Sequence, residues 1–327
     1  MLFLFYKIIF NIVLYIQLIL KGKIHIKYFI VLFLAIILIE NINAQNDSSS
    51  VVQINKKQLN GVIITESFLY TSTMTGLYFL WYADYPQSSF HFFNDNNEWL
   101  LMDKVGHVST AYHISKIGYD LLRWPGVSKK KSILYGSTIG FFYLSTVEIL
   151  DGFSSEWGAS TGDIIANTLG SVAFIGQQLA WDEQRLSLKF SFHKSDYSKY
   201  RPNVLGSNFQ ERMLKDYNGQ TYWLSANIHS FLGKDSKWPK CLNIALGYGA
   251  EGMIGAITNP SEVNEKPIPD FSRYNQYFLT FDIDLTRIET KSKALNMFLD
   301  VFGFVKIPFP TLEYNSKNEF EFYWLYF

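Results

Sequence analysis

The sequence predicts an α+β protein: a membrane-associated bundle of about four helices, followed by an antiparallel β-sheet domain. Two textures carry this reading. Residues 61–183 hold four long apolar stretches separated by turn chemistry, whereas residues 184–327 alternate apolar and polar positions in short runs. Composition agrees: charged residues make up 18% of the 327-residue chain and aromatic residues 17%, a balance that leans toward a membrane or the envelope. The net charge of +0 leaves no electrostatic footprint for nucleic acid, so none is expected as a partner.

The elements follow in order. Residues 1–44 read as a targeting region. Lys23 and Lys27 precede an apolar run over residues 28–39, and Ile42-Asn43-Ala44 offers a small-residue cleavage site, so cleavage is expected after Ala44. The earlier apolar run, residues 3–20, is better explained by a start upstream of the true one than by a transmembrane helix. No cysteine follows the apolar run, so a lipoprotein-type anchor is not expected there. Cys241 is the one cysteine, which excludes an internal disulfide or a cysteine metal cage. Residues 45–60 are polar and read as a linker.

The helices are expected over residues 62–82, from the N-cap string Asn94-Asp95-Asn96-Asn97 to Arg123, over 132–150, and over 162–181. Each is long enough to cross or dip into a bilayer, and each carries enough Ser, Thr, Gly and Tyr to suit a buried bundle. Strands are expected over 186–192, 221–231, 242–250, 274–285 and 318–327, with a short helix near 290–302. Pro308-Phe309-Pro310 reads as a loop signal. The last run ends on Phe327, as the terminal strands of outer-membrane barrels often do. Five or six strands are too few for a closed barrel, which starts at about eight, so a curved sheet packed on the helices is expected.

Two polar clusters interrupt the apolar helices: Met102-Asp103-Lys104-Val105-Gly106-His107, and the stretch from Glu148 through Asp151 to Asp163 and Asn167. Such groups are costly there unless they pair. Asp103 and His107, four apart, share a helix face; an acid beside a histidine fixes its tautomer and raises its basicity. A buried pair that orients two helices fits the same spacing. Lys104 can reach a carboxylate on a neighbouring helix or snorkel to solvent. Glu148 ends an apolar helix, where the dipole does not favour an acid, so a specific partner is expected. Ser160 and Asp163 also fit a capping box, and Asp163 shares its face with Asn167 and Gly170.

The motifs Asp103-Lys104-x-x-His107, Glu148-x-x-Asp151 and Ser160-x-Gly162-Asp163-x-x-Ala166-Asn167-x-x-Gly170 together resemble the YfiM-like family of predicted periplasmic lipoproteins, which has no assigned function. Their order and spacing are also distantly similar to VanZ-like membrane proteins. The resemblance covers residues 95–180 and implies a cell-envelope location and little chemistry. The strand-rich remainder looks like the C-terminal extension of versions from Bacteroidetes-type bacteria. This chain departs by lacking the lipoprotein cysteine and the basic residue that VanZ-like proteins often show before the last motif.

The expected function is a structural or small-ligand-binding role around a buried Asp/His/Glu centre, in an exported protein of the outer membrane or a periplasm-facing membrane. Asp103, His107 and Glu148 are the candidates for chemistry; Lys104, Asp163 and Asn167 are the candidates for binding. No metal is assigned, because no H-E-x-x-H signature is present, and no cofactor is identifiable. Membrane lipid is the expected partner, with other envelope proteins. The rival is an acid/base or metal-assisted hydrolase of a lipid or cell-wall precursor, with His107 as base and Asp103 orienting it.

Overall fold

The computed structural model describes residues 54–232 and 235–327. The expected targeting region, residues 1–44, and most of the polar linker lie outside these. The chain forms two compact units, each made of separate stretches. One combines the described residues up to Phe93 with Lys116–Ser160; the other combines Asn94–Ser115 with Thr161–Phe327. Helical residues 94–115 and 161–180 therefore group with the strands.

In the first unit, α1 (Lys56–Leu77) starts inside the stretch read as linker. Asn55 caps it, accepting from the Gln58 N–H at 3.1 Å. Hydroxyls of Ser67, Thr71 and Thr75 fold back onto carbonyls one turn earlier, which satisfies polar side chains inside an apolar helix. The helix closes in a π-turn at Tyr78–Tyr82. Next come β1 (Phe92–Phe93), α2 (Met102–Arg123) and α3 (Lys129–Gly152). Among the described residues, α3 is the one helix both long and apolar enough to cross a membrane. The end of α2 approaches α3 so closely that a Cβ on Gly118 would lie 2.4 Å from the Gly136 carbonyl oxygen. After α3, β2 (Ala159–Ser160) pairs in parallel with β1.

The second unit holds the start of α2, then α4 (Thr161–Ala180) and a six-stranded sheet. α4 buries Asp163, Asn167, Gly170, Phe174 and Gln178, three or four residues apart on one face. Its opposite face exposes Ile165, Leu169, Val172 and Leu179, so the usual amphipathicity is inverted. Gly170 is where α2 crosses, because a Cβ there would meet the Val108 carbonyl oxygen at 2.1 Å.

The sheet is an antiparallel meander of β3 (Leu186–Phe192), β4 (Gln220–Ala226) and β5 (Leu242–Glu251), continued after a small hairpin, β6 (Glu262–Val263) with β7 (Lys266–Pro267), by β8 (Tyr274–Ile283), β9 (Phe309–Asn315) and β10 (Phe320–Tyr326). It curls until its ends approach, short of a closed barrel. The Lys306 N–H donates to the Phe190 carbonyl at 2.9 Å, and the Tyr326 hydroxyl lies 3.2 Å from Thr221 Oγ1.

Two expectations are corrected here. The strand expected over 221–231 stops at Ala226, because the Asn227 carboxamide accepts from the Ser230 N–H at 3.0 Å and starts the short helix Ile228–Leu232. The loop signal at 308–310 instead opens β9. Pro310 lies just outside the residues paired with β8, which begin at Thr311, so its missing N–H costs no ladder bond. The short helix near 290–302 is Lys293–Val301 (α5), capped by Ser292.

Candidate functional site

α2 and α4 each bring a first turn with a carboxylate, Asp103 and Asp163, where the helix dipole favours negative charge. Between them lies Lys104. Its Nζ is 2.7 Å from Asp95 Oδ2, 3.1 Å from Asp103 Oδ2 and 2.8 Å from Asp163 Oδ1. One ammonium thus holds three carboxylates, all largely shielded from water. The Tyr217 hydroxyl adds a bond to Asp103 Oδ1 at 2.6 Å. His107 Nδ1 donates to Asn167 Oδ1 at 2.9 Å, which turns Nε2 toward Asp103 Oδ1 and Asp163 Oδ1, each 3.8 Å away.

The charges set one another's protonation. Burial would raise the Asp103 carboxyl, but His107, Lys104 and Tyr217 outweigh it and hold it below its ordinary value. Burial, with the Asp103 charge beside it, pushes Asp163 up to about 7 against the pull of His107 and Lys104. Burial alone would lower the Lys104 ammonium; the surrounding carboxylates reverse that and raise it. Glu98, nearby in chain, is raised by burial and by Asp95 and Asp103. The centre therefore carries surplus negative charge, and Asp163 is where a proton relieves it.

The backbone entering the site is strained. Trp99, Leu100 and Leu101 all have positive φ, at 48°, 51° and 64°, a left-handed turn that costs roughly 1–2 kcal/mol per residue. Surroundings hold it: the Trp99 N–H donates to the Ala256 carbonyl at 2.7 Å, and the Tyr248 hydroxyl donates to the Leu100 carbonyl. Strain of this kind persists where neighbouring structure over-determines it.

The structure brings together Asp103, Lys104, His107, Asp163 and Asn167. Glu148 belongs to the other unit, where its Oε2 accepts from the Ser160 N–H at 2.9 Å. That bond takes over the part a capping box would have given to Asp163 and leaves Asp163 facing Lys104. Asp151, in the same unit as Glu148, accepts from the Tyr82 hydroxyl at 2.7 Å. Sequence reasoning missed Asp95, absorbed in an N-cap string, and Tyr217, for which no local signal exists.

Asp103, His107 and Asp163 each offer one ligand atom, all within 4.8 Å of one another, a set that suits a divalent cation. Lys104 competes for that place, since its Nζ already touches two of the three residues. Two pockets beside α2 and α4, of about 250 and 320 Å³, are lined mainly by apolar residues such as Val108, Leu188 and Leu224, and their linings include neither His107 nor Asp163.

Residues 91–175 match a family described as predicted periplasmic lipoprotein, DUF2279. The match spans the whole α2–α4 motif and supports an exported, cell-envelope location. No match was found among curated proteins or among solved structures.

Proposed function

We propose that this chain is an envelope protein that works at a membrane surface, with the Lys104 centre as the structural key that locks α2 onto α4. The observation that carries it is the pairing itself: Lys104 engages three carboxylates and Asn167 orients His107. Asp103 is likewise engaged by the Tyr217 hydroxyl, so the centre's charged groups are already held by protein partners. Membrane lipid is the partner this reading assigns, in the outer membrane or a periplasm-facing membrane. Any small ligand at the centre would be polar and would compete with Lys104.

The second reading, a metal-assisted hydrolase of a lipid or cell-wall precursor, is favoured by one observation, the Asp103/His107/Asp163 ligand set. Elemental analysis and thermal melting separate the two. On the structural reading, dialysed protein retains no stoichiometric divalent metal, and His107→Ala lowers Tm. Stoichiometric zinc or manganese, or a His107→Ala protein that melts like wild type yet loses its cellular phenotype, would sink it.

A further inference from the structure

The sheet is inside out. Its concave face carries Lys189, Asp282, Glu313, Gln276, Thr280 and Asn243, all buried, around a small apolar cluster of Trp223, Ala245, Phe278 and Tyr326. Its convex face is apolar over three successive rows of the meander and turns polar beyond them, at Gln220 and Asn275. Cross-strand register aligns one row of Phe190, Tyr222, Tyr248, Tyr277, Tyr314 and Phe320. The next row is Leu188, Leu224, Leu246, Leu279, Leu312 and Phe322. A third contains Ala226, Ile244 and Phe281. Not one of these positions is charged. Val105 and Val108 of α2 share a pocket with Leu188, Tyr222 and Leu224 at one end, but Leu246, Leu279, Leu312 and Phe322 remain 41–56% exposed.

Resting on the membrane reading above, we infer that the uncovered part of this convex face is immersed in the hydrocarbon of one bilayer leaflet, with the exposed end of the aromatic row, Tyr277, Tyr314 and Phe320, at the headgroup level. Three features select lipid over a protein partner. Polarity is reversed across the sheet, as happens when the exterior is less polar than the interior. The same reversal recurs on α4, so apolar exposure is not confined to one patch sized for a partner. A tyrosine row flanking leucine rows places amphipathic rings where water meets hydrocarbon.

The depth follows from strand geometry. On β5 and β8 the apolar rows run from Leu242 and Ile283 to Tyr248 and Tyr277, which spans about 20 Å along a strand at roughly 3.4 Å per residue. Strand tilt reduces that further, and a full hydrocarbon core is about 30 Å. The sheet reaches into one leaflet and does not cross. α5, amphipathic and exposing Leu295, Phe298 and Val301, suits the same interface.

The test is flotation of the purified protein with vesicles of phosphatidylethanolamine and phosphatidylglycerol, comparing wild type with the double variant Leu279→Asp, Leu312→Asp. Both sites are solvent-facing, and near-UV circular dichroism checks the fold. Flotation is expected to fall at least tenfold. A spin label at Leu279→Cys, in a Cys241→Ser background, supplies a readout that does not depend on weakened binding. In vesicles it is expected to be accessible to oxygen and shielded from a nickel chelate, whereas a label at Lys317→Cys is open to the chelate. If wild type floats and the variant floats equally, or the Leu279 label meets the chelate, this face is not the lipid surface and only this inference falls. If wild type does not float, the membrane reading itself falls. A dimer that Leu279→Asp dissociates, without flotation, would assign the face to a second copy and overturn the inference.

Discussion

Two lysine centres in the same unit, one largely shielded and one fully buried, solve opposite problems. At Lys104 one ammonium serves three carboxylates; in the sheet two lysines share one carboxylate. Lys189 Nζ lies 2.6 Å from Asp282 Oδ2, and Lys306 Nζ lies 3.8 Å from Asp282 Oδ1, with all three side chains fully buried. The acid-rich centre draws on two helix N-termini and a histidine for positive potential. The base-rich centre, set on two strands and the segment that follows α5, uses carbonyls instead: Lys189 donates to Ile283 O at 2.8 Å, and Lys306 to Ile307 O at 2.5 Å. Lys306 also sits 5.2 Å over the Trp223 ring. The lesson is that these two centres bury charge beneath largely apolar outer faces of the sheet and α4, and that each is neutralised with whatever dipoles the local backbone offers.

The largest expected effect lies at the sheet centre. Asp282→Asn leaves two buried ammonium groups without a carboxylate and should cost about 3–5 kcal/mol, read by chemical denaturation. Lys104→Met should cost less, about 2–3 kcal/mol, because helix dipoles and partial solvent access soften the loss. If Lys104→Met proved the more damaging, the ranking of the two centres would be wrong.

pH sharpens the contrast. Asp163, raised in the folded state to about 7, keeps a proton that the unfolded chain has lost above its ordinary carboxylate value. Its contribution to stability therefore falls as pH rises from about 4 to 7. Lys306, lowered to about 8 by burial, is neutral in the folded protein while the unfolded chain is still protonated. Its contribution rises as pH climbs from about 8 to 10.5. Melting curves across pH should show the first slope vanish in Asp163→Asn and the second in Lys306→Met; unchanged slopes would refute both assignments.

The smallest effect is at His107. Its replacement by alanine removes the bond to Asn167 and should cost about 1–2 kcal/mol, with Tm insensitive to added zinc. A zinc-dependent rise in wild-type Tm that His107→Ala abolishes would favour the metal reading.

Much of this was legible in the chain. Four apolar stretches became α1 to α4, and strict alternation at 186–192 gave β3 with the same bounds. The sequence also exposed the Asp103–His107 spacing, because helix periodicity makes i and i+4 neighbours. It could not assign Glu148, whose partner, the Ser160 N–H, is a backbone group that no motif marks. It could not find Tyr217, whose bond to Asp103 spans 114 residues. Nor did alternation reveal which strand face points inward: period two fixes the faces but not their direction, and here the polar one is buried.

The most direct measurement is a double-mutant cycle of Lys104→Met and Asp163→Asn by denaturant unfolding. If Lys104 is the cation these carboxylates are arranged around, Lys104→Met is strongly destabilising alone. Adding Asp163→Asn then recovers part of the loss, because it removes surplus negative charge, and gives a coupling energy of about 1–3 kcal/mol. Additive effects, or a Lys104→Met protein as stable as wild type, would contradict the account.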